Sequence, residues 1–243
     1  MFTETALYYD KIYAFKDYPA EADRLMAIFR EHQRSGGIHL LDVACGTGRH
    51  LEYLRERYDV EGIDISLELL AIAHQRLPGI RLHHGDMTAF DLGKTFDLVT
   101  CLFSAIGYVK TLQNLTRAVG CMARHLKAGG LLVIEPWFTP DTWRPGTVHA
   151  IFIDEPELKI ARINTSFVTG HLSIFDLHYL VGTPAGTEYL VEHHEMGLFT
   201  TDDMHAALAA VGLEVTFDPQ GLMGRGLFIG RHPGESRAQN ALV

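Results

Sequence analysis

The chain has 243 residues, 47% hydrophobic and 21% charged, with a formal net charge of −9, which is enough apolar material for one large α/β domain or two small ones. It has no Lys/Arg run long enough to track a phosphate backbone, which sets aside a non-specific nucleic-acid binder. No apolar stretch nears the roughly 20 residues that span a bilayer, no basic segment followed by an apolar run opens the chain, and the three cysteines (Cys45, Cys101, Cys121) form no CxxC pair. Together these features predict a cytoplasmic protein without membrane or nucleic-acid partners.

Residues 1–35 predict an arm and a helix. The arm holds Tyr8, Tyr9, Tyr13 and Tyr18; after Pro19, the apolar Ala22, Leu25, Met26 and Phe29 repeat at helical spacing from Ala20 to about Gln33. Gly36-Gly37 ends the helix. The cofactor-binding core is expected over residues 36–147. A short buried strand, Ile38 to Val43, runs into a glycine turn and a helix from about Arg49 to Tyr58. Strand Val60 to Ile65, helix Leu67 to Leu77 and the short strand Arg81 to His84 follow. Next come strand Phe96 to Phe103, helix Leu112 to Leu126 closed by Gly129-Gly130, and strand Leu131 to Glu135.

The pattern then changes. From about Val148 to Phe199, strand-like alternation is punctuated by Glu155-Pro156, Thr169-Gly170 and Gly182-Thr183-Pro184, predicting an antiparallel β insert (148–199). Thr200-x-x-Asp203 starts a last helix that Gly212 ends, and Leu213 to Phe217 with Gly226 to Gly230 would close the sheet as an edge hairpin within 200–231. From His232 to residue 243 the polar composition predicts a disordered tail. The expected fold is α/β, a Rossmann-like, seven-stranded, mostly parallel sheet with helices on both faces plus the insert, all in one domain over residues 1–231.

Chemistry concentrates at three successive strand ends. The turn Asp42-Val43-Ala44-Cys45-Gly46-Thr47-Gly48 carries glycines that let a ligand approach the backbone. Asp64 stands at the next strand end, 22 residues after Asp42, where a carboxylate accepts from both ribose hydroxyls, with Ile65 beside it. After the third strand, Asp86 can hold an adenine amino group while the Met87 amide meets a ring nitrogen. A dinucleotide fingerprint would need a third glycine, but Leu51 stands at that place. An acid before the turn also suits the cationic amino-acid end of S-adenosylmethionine and would repel a pyrophosphate. The constellation therefore points to an S-adenosylmethionine-dependent methyltransferase. No metal site is expected, since adjacent His83 and His84 would point to opposite strand faces.

The insert supplies candidates for the acceptor side. Ile174, Asp176 and His178 would share one strand face, as would Arg162 and Asn164, and Glu192 and His194. Turned toward the cofactor, these faces form a polar wall; turned outward, they are the wet side of a sheet. His178 and His194 have unperturbed pKa values near 6.5, suited to taking a proton from an amine. Tyr108, after the fourth strand, is placed to orient the acceptor, so these three are the candidate catalytic residues. Arg225 can grip a phosphate bidentately, or it is a salt bridge on the edge hairpin.

Beyond the cofactor motifs the chain resembles the N,N-dimethyltransferases that finish nucleotide-linked 3-amino-deoxysugars in macrolide biosynthesis. The matching stretches are Lys16-Asp17-Tyr18, Leu40 to Gly48 with His50-Leu51, His84 to Met87, Phe103-Ser104-x-Ile106-Gly107, Glu135-Pro136-Trp137, Leu177-His178-Tyr179 and Gly224 to Phe228. The resemblance implies a dTDP-amino-sugar acceptor. Tyr9, Tyr13 and Tyr18 would close over the cofactor, or else pack an otherwise loose arm; Ala44, Gly46, Gly48 and Phe103 are expected around the cofactor and Tyr13, Trp137, Arg162 and Arg225 toward the acceptor, and the resemblance leaves a homodimer open. Departures are Asp64 where the sugar enzymes carry Glu, Phe2 near a tyrosine position, Trp137-Phe138 in place of a tryptophan pair, and Met223 in place of a small polar residue. Methylation of another small molecule at O or N, or cofactor binding without catalysis, are the competing readings.

Overall fold

Apolar strands alternating with amphipathic helices need cover on both faces, and the chain provides it. The structure, a computed structural model, describes residues 5–234; Phe2 and most of the expected tail, 235–243, lie outside the described residues. In chain order the elements are α1 (Tyr9–Ile12), α2 (Tyr18–His32), β1 (His39–Val43), α3 (Arg49–Leu54), β2 (Asp59–Asp64), α4 (Leu67–Arg76), β3 (Arg81–His84) and β4 (Phe96–Cys101). Then follow α5 (Leu112–Arg124), β5 (Leu126–Ile134), β6 (Val148–Glu155), β7 (Leu158–Thr169), β8 (Leu172–Thr183), β9 (Gly186–Gly197), α6 (Thr201–Ala210), β10 (Glu214–Asp218) and β11 (Leu227–Arg231).

The main sheet has seven strands in the order β10-β11-β5-β4-β1-β2-β3, parallel except for the closing β10–β11 hairpin, whose β11 pairs antiparallel with β5. Alternate residues along each strand feed opposite cores. Leu41, Val99, Leu132 and Ile134 pack with α5 and α6 through Leu115, Met122 and Leu208. Leu40, Leu98, Leu131 and Val133 pack with α2, α3 and α4 through Leu25, Phe29, Leu54 and Leu70. The helices start where their chemistry allows: the Asp17 carboxylate accepts from Ala20 N at 3.0 Å, and Thr200 and Asp203 form a reciprocal capping box on α6.

The second sheet is a plain antiparallel run, β6-β7-β8-β9. One face covers a third cluster of Ile160, Phe175, Leu177, Tyr179, Val181 and Met196, joined by Ile12 from the arm.

Several boundaries differ from the sequence reading. The helix expected to reach Tyr58 stops at Leu54. Gly129-Gly130 lies inside β5 and does not close a helix: at φ +77°, Gly129 presents its carbonyl to Arg34 N and Ser35 N, and a Cβ there would meet the Arg34 backbone at 2.8 Å. Finally, His232 is still tied to the sheet, donating to Gly130 O at 2.9 Å and accepting from Gly129 N at 3.0 Å.

Candidate active site

A cavity of about 650 Å³ opens between the C-terminal ends of the parallel strands and the inner face of the second sheet. At its strand-end side the chain leaves β1 through Ala44, Gly46 and Gly48, all at positive φ. Asp64, at the end of β2, ties this turn down: its carboxylate accepts from Gly46 N at 2.7 Å and from Ser66 N at 2.8 Å. Burial pushes the Asp64 carboxyl above the usual range despite these donors. Ala44, Gly46, Asp64, Ile65, Met87 and Phe103 line this part of the cavity.

Phe103 and Ser104 both take left-handed backbone (φ +50° and +63°), which sparsely populated geometry must be held by its surroundings. Glu135, wholly buried at the end of β5, accepts from Phe103 N at 2.7 Å, and the Ser104 hydroxyl donates to Pro136 O. The turn so fixed carries Tyr108 into the cavity. Glu135 escaped the sequence reading as a functional group, although an acid closing an otherwise apolar strand was its signal.

The arm covers the cavity from a third side. Tyr9 and Tyr13 line it, their rings 4.7 Å apart, and Tyr13 meets the Phe103 ring edge-on at 5.1 Å. The Thr47 hydroxyl donates to Asp10 Oδ1 at 2.7 Å, and Arg76 pairs with Asp10, so the arm is pinned to the glycine turn. No periodicity in the sequence announces this clamp.

The second sheet supplies the far wall. Arg162, Asn164 and His194 face inward, with Trp137, Trp143 and Phe175 forming an aromatic flank. Arg162 Nη1 approaches the Tyr13 hydroxyl at 3.3 Å. The Tyr108 hydroxyl lies 2.8 Å from His194 Nδ1; on the far side, His194 Nε2 is 3.6 Å from Glu192 Oε2. Arg225 lines the cavity too, with its guanidinium 5.9 Å from the Trp137 ring and Nη2 3.4 Å from Glu135 Oε1. The ion pair expected of Arg225 thus runs to Glu135 after β5 and not within the edge hairpin, and the side chain also lines the cavity.

Five expected site residues stand outside the cavity lining. His178 is on the outer face of β8: the inward positions are Ser173, Phe175, Leu177, Tyr179 and Val181, and His178 pairs with the Tyr189 hydroxyl in solvent. The face it shares with Ile174 and Asp176 is the wet one, which corrects the expectation that it meets the acceptor. Tyr18 is buried behind the arm, edge-on to His50 at 5.0 Å. Gly48 is a packing glycine, since a Cβ there would meet Leu77 Cδ1 at 2.6 Å. Asp86 is exposed, with its Oδ1 taken by Thr88 N and Oγ1, leaving Met87 as the lining residue of that turn. Asp42 lies under the cavity floor, where Thr100 Oγ1 donates to it at 2.7 Å and burial raises its pKa from 3.8 to about 6.

Known proteins resemble the chain in both sequence and fold. A sequence profile for a methyltransferase domain matches residues 40–130. The chain is 41% identical over 231 residues to the dTDP-3-amino-3,6-dideoxy-alpha-D-glucopyranose N,N-dimethyltransferase of Streptomyces fradiae, covering 93% of this chain and 90% of that one. It belongs to the S-adenosylmethionine-dependent methyltransferases. Among solved structures, DesVI of Streptomyces venezuelae superposes on 96% of this chain and all of its own with a TM-score of 0.89 at 37% identity. CalS10, an amino pentose methyltransferase from Micromonospora echinaspora solved with S-adenosylmethionine bound, gives 0.84 at 37% identity over 96% and 98% of the two chains.

The residues of the methyltransferase fit S-adenosylmethionine on their own chemistry. The Asp64 carboxylate accepts from the Gly46 and Ser66 backbone N–H groups and, with about four lone-pair sites, keeps acceptor capacity for a ribose hydroxyl. A Cβ at Gly46 would meet nothing within 4 Å, so the turn presents bare backbone to the cavity. Two buried carboxylates, Asp42 and Asp64, flank that turn and favour a cationic ligand over a pyrophosphate. Among the described residues no cluster of three or more His, Cys, Asp or Glu side chains is arranged to hold a metal ion.

Proposed function

We propose that this enzyme N-methylates the amino group of a nucleotide-linked amino sugar, a dTDP-3-amino-deoxysugar being the first candidate. The observation that carries the reading is one continuous cavity that joins the Asp64 end to Tyr108, His194, Arg162 and Arg225 at the acceptor wall. Three curated relatives, each 39–41% identical, are named for N,N-dimethylation of dTDP-amino sugars. S-adenosylmethionine supplies an electrophilic methyl carbon carried on a sulfonium.

The chain's own residues do the rest. Asp64 holds the ribose, the Met87 amide meets the adenine edge, and Asp42 holds the ammonium end from beneath the Ala44–Gly46 turn. Tyr9 and Tyr13 close the site against water. Arg225 and Arg162 are the cations for a diphosphate, and Trp137 offers an aromatic face for the nucleoside. Holding amine and methyl carbon in attack geometry contributes up to about 7–11 kcal/mol to such a displacement. Tyr108 and His194 orient the amine.

The outer face of the second sheet exposes Phe152, Ile163, Phe167, Leu180 and Val191 on one side of the register. A cytoplasmic location goes with both substrates, and the three cysteines are free.

The deciding experiment is steady-state kinetics with a panel of dTDP-amino sugars, following S-adenosylhomocysteine release. Arg225→Gln is expected to raise KM for the sugar nucleotide far more than it lowers kcat, because a remote phosphate is gripped equally in ground and transition states. A wild-type enzyme that ignores every amino-sugar nucleotide but methylates a free amine or phenol would sink the sugar assignment and leave the reaction class standing.

A further inference from the structure

An amine accepts a methyl group only with its lone pair free, and at neutral pH an amino sugar arrives largely as an ammonium ion. After each transfer the product is again an ammonium, so a second transfer needs a second deprotonation. The site therefore has a proton to place, and the cavity wall holds a chain of groups aligned for it. Tyr108 lines the cavity, its hydroxyl 2.8 Å from His194 Nδ1, and His194 Nε2 faces Glu192 at 3.6 Å. His194 is 1% exposed and Glu192 7%, and the imidazole is stacked flat on Phe175 (centroids 5.3 Å apart, planes at 7°), which fixes its orientation.

We infer that Glu192, His194 and Tyr108 form a proton relay that deprotonates the acceptor amine, with Glu192 as a positioning residue acting through His194. This rests on the N-methylation reading above. The protonation states follow from the surroundings. Burial first, and then the neighbouring Tyr13, Glu192 and Tyr179, drive the Tyr108 phenol far above its ordinary range, so it stays protonated and donates to His194 Nδ1. Burial works against ionising Glu192, but the contacts with His194 and Thr5 outweigh it and hold the carboxyl below its ordinary range. An ionised Glu192 selects the tautomer with the proton on Nε2, leaving Nδ1 as the acceptor. Other titratable groups facing this chain are Tyr9 and Tyr13 from the arm, Arg162 from β7 and Tyr179 from β8.

The step balances without an oxidant or further reactant. The ammonium N–H breaks and its proton goes to Tyr108 Oη while the phenolic proton passes to His194 Nδ1, giving a neutral amine and an imidazolium that faces the Glu192 carboxylate. No phenolate forms. The amine lone pair then makes the C–N bond, the methyl–sulfur bond breaks, and sulfur keeps the electron pair. The imidazolium returns its proton to water before the next transfer.

Three variants test this with a dTDP-amino sugar: Tyr108→Phe, Glu192→Gln and the double. A glutamine amide can donate to Nε2 and force the proton onto Nδ1, where it blocks the relay, so each single change is expected to lower kcat about a hundredfold at neutral pH. The double variant should fall no further, because the residues act as one unit. All the defects should fade above the acceptor amine's own pKa, where it arrives neutral from solvent. Additive losses, or a defect that is the same at every pH, would overturn the relay while leaving N-methylation intact. A wild type inactive on every amine would instead overturn the functional reading. Independent of turnover, ¹⁵N NMR of His194 in the wild-type protein should show a protonated Nε2 that switches to Nδ1 in Glu192→Gln; protonated Nδ1 in the wild type rejects the relay whatever the acceptor.

Discussion

Asp42→Asn should make the protein more stable and a worse binder of its cofactor. The Asp42 carboxyl is 2% exposed, accepts a single side-chain hydrogen bond, from Thr100, and is raised from 3.8 to about 6, mainly by burial. Because the folded state holds this proton more tightly than the unfolded state, the group favours folding when protonated. Its contribution is lost as pH rises between the two values and stays lost above about 6. The interval is worth about 3 kcal/mol, so an amide of the same shape, which still accepts from Thr100, should recover about 1–3 kcal/mol at neutral pH. For a chain this long that is a rise in Tm of several degrees. The cationic end of S-adenosylmethionine would, in turn, lose the charge that makes an ionised Asp42 worthwhile. Thermal melts of wild type and variant at pH 5 and pH 8, each with and without S-adenosylhomocysteine, separate the two effects. The expected result is a gain for the ligand-free variant at pH 8 that shrinks at pH 5, with a smaller ligand-induced shift at both. A variant less stable than wild type at pH 8 would refute the reasoning, because it would mean that the ionised carboxylate is well solvated or well paired.

Other outcomes follow from the same geometry. Asp64→Ala should weaken S-adenosylhomocysteine by about 1.5–3 kcal/mol in calorimetry, the scale of charge-assisted hydrogen bonds; unchanged affinity would mean that the ribose sits elsewhere. Gly48→Ala should destabilise more than Gly36→Ala in chemical denaturation. Both glycines have positive φ, but only at Gly48 does a Cβ strike a neighbour, Leu77, whereas Gly36 has open space; equal losses would refute the packing role. His178→Ala should leave kcat and KM within about twofold of wild type, since that side chain is outside the cavity; a hundredfold loss of kcat would place the second sheet the wrong way round.

The cofactor half was readable because its chemistry is local. A strand, a glycine turn and a helix follow one another without a break from His39 to Leu54, and Asp64 falls one βα unit later at the matching strand end. The acceptor half was readable only in part. Period-two alternation groups Ile174 with Asp176 and His178, but a strand's period is silent on which face turns inward. The decisive cue was composition: Phe175, Leu177, Tyr179 and Val181 make the other face of β8 the apolar one. Contacts made across long separations left no trace in the pattern. Asp10 meets Thr47 and Arg76, and Glu135 meets Phe103 N, through the fold's crossovers and not through spacing.

The position of β11 has a consequence for synthesis. It fills the place between β10 and β5, and its partners Leu131 to Ile134 are made long before it. As the chain leaves the ribosome, the hairpins of β6 to β9 can zip locally while β5 still waits with an open, apolar edge. The nascent protein therefore passes through a stage in which the wall of its site is built before the sheet that carries the site is sealed. A chain arrested just short of residue 227 would be held there, and its exposed β5 edge is where chaperones, or other arrested copies, would meet it.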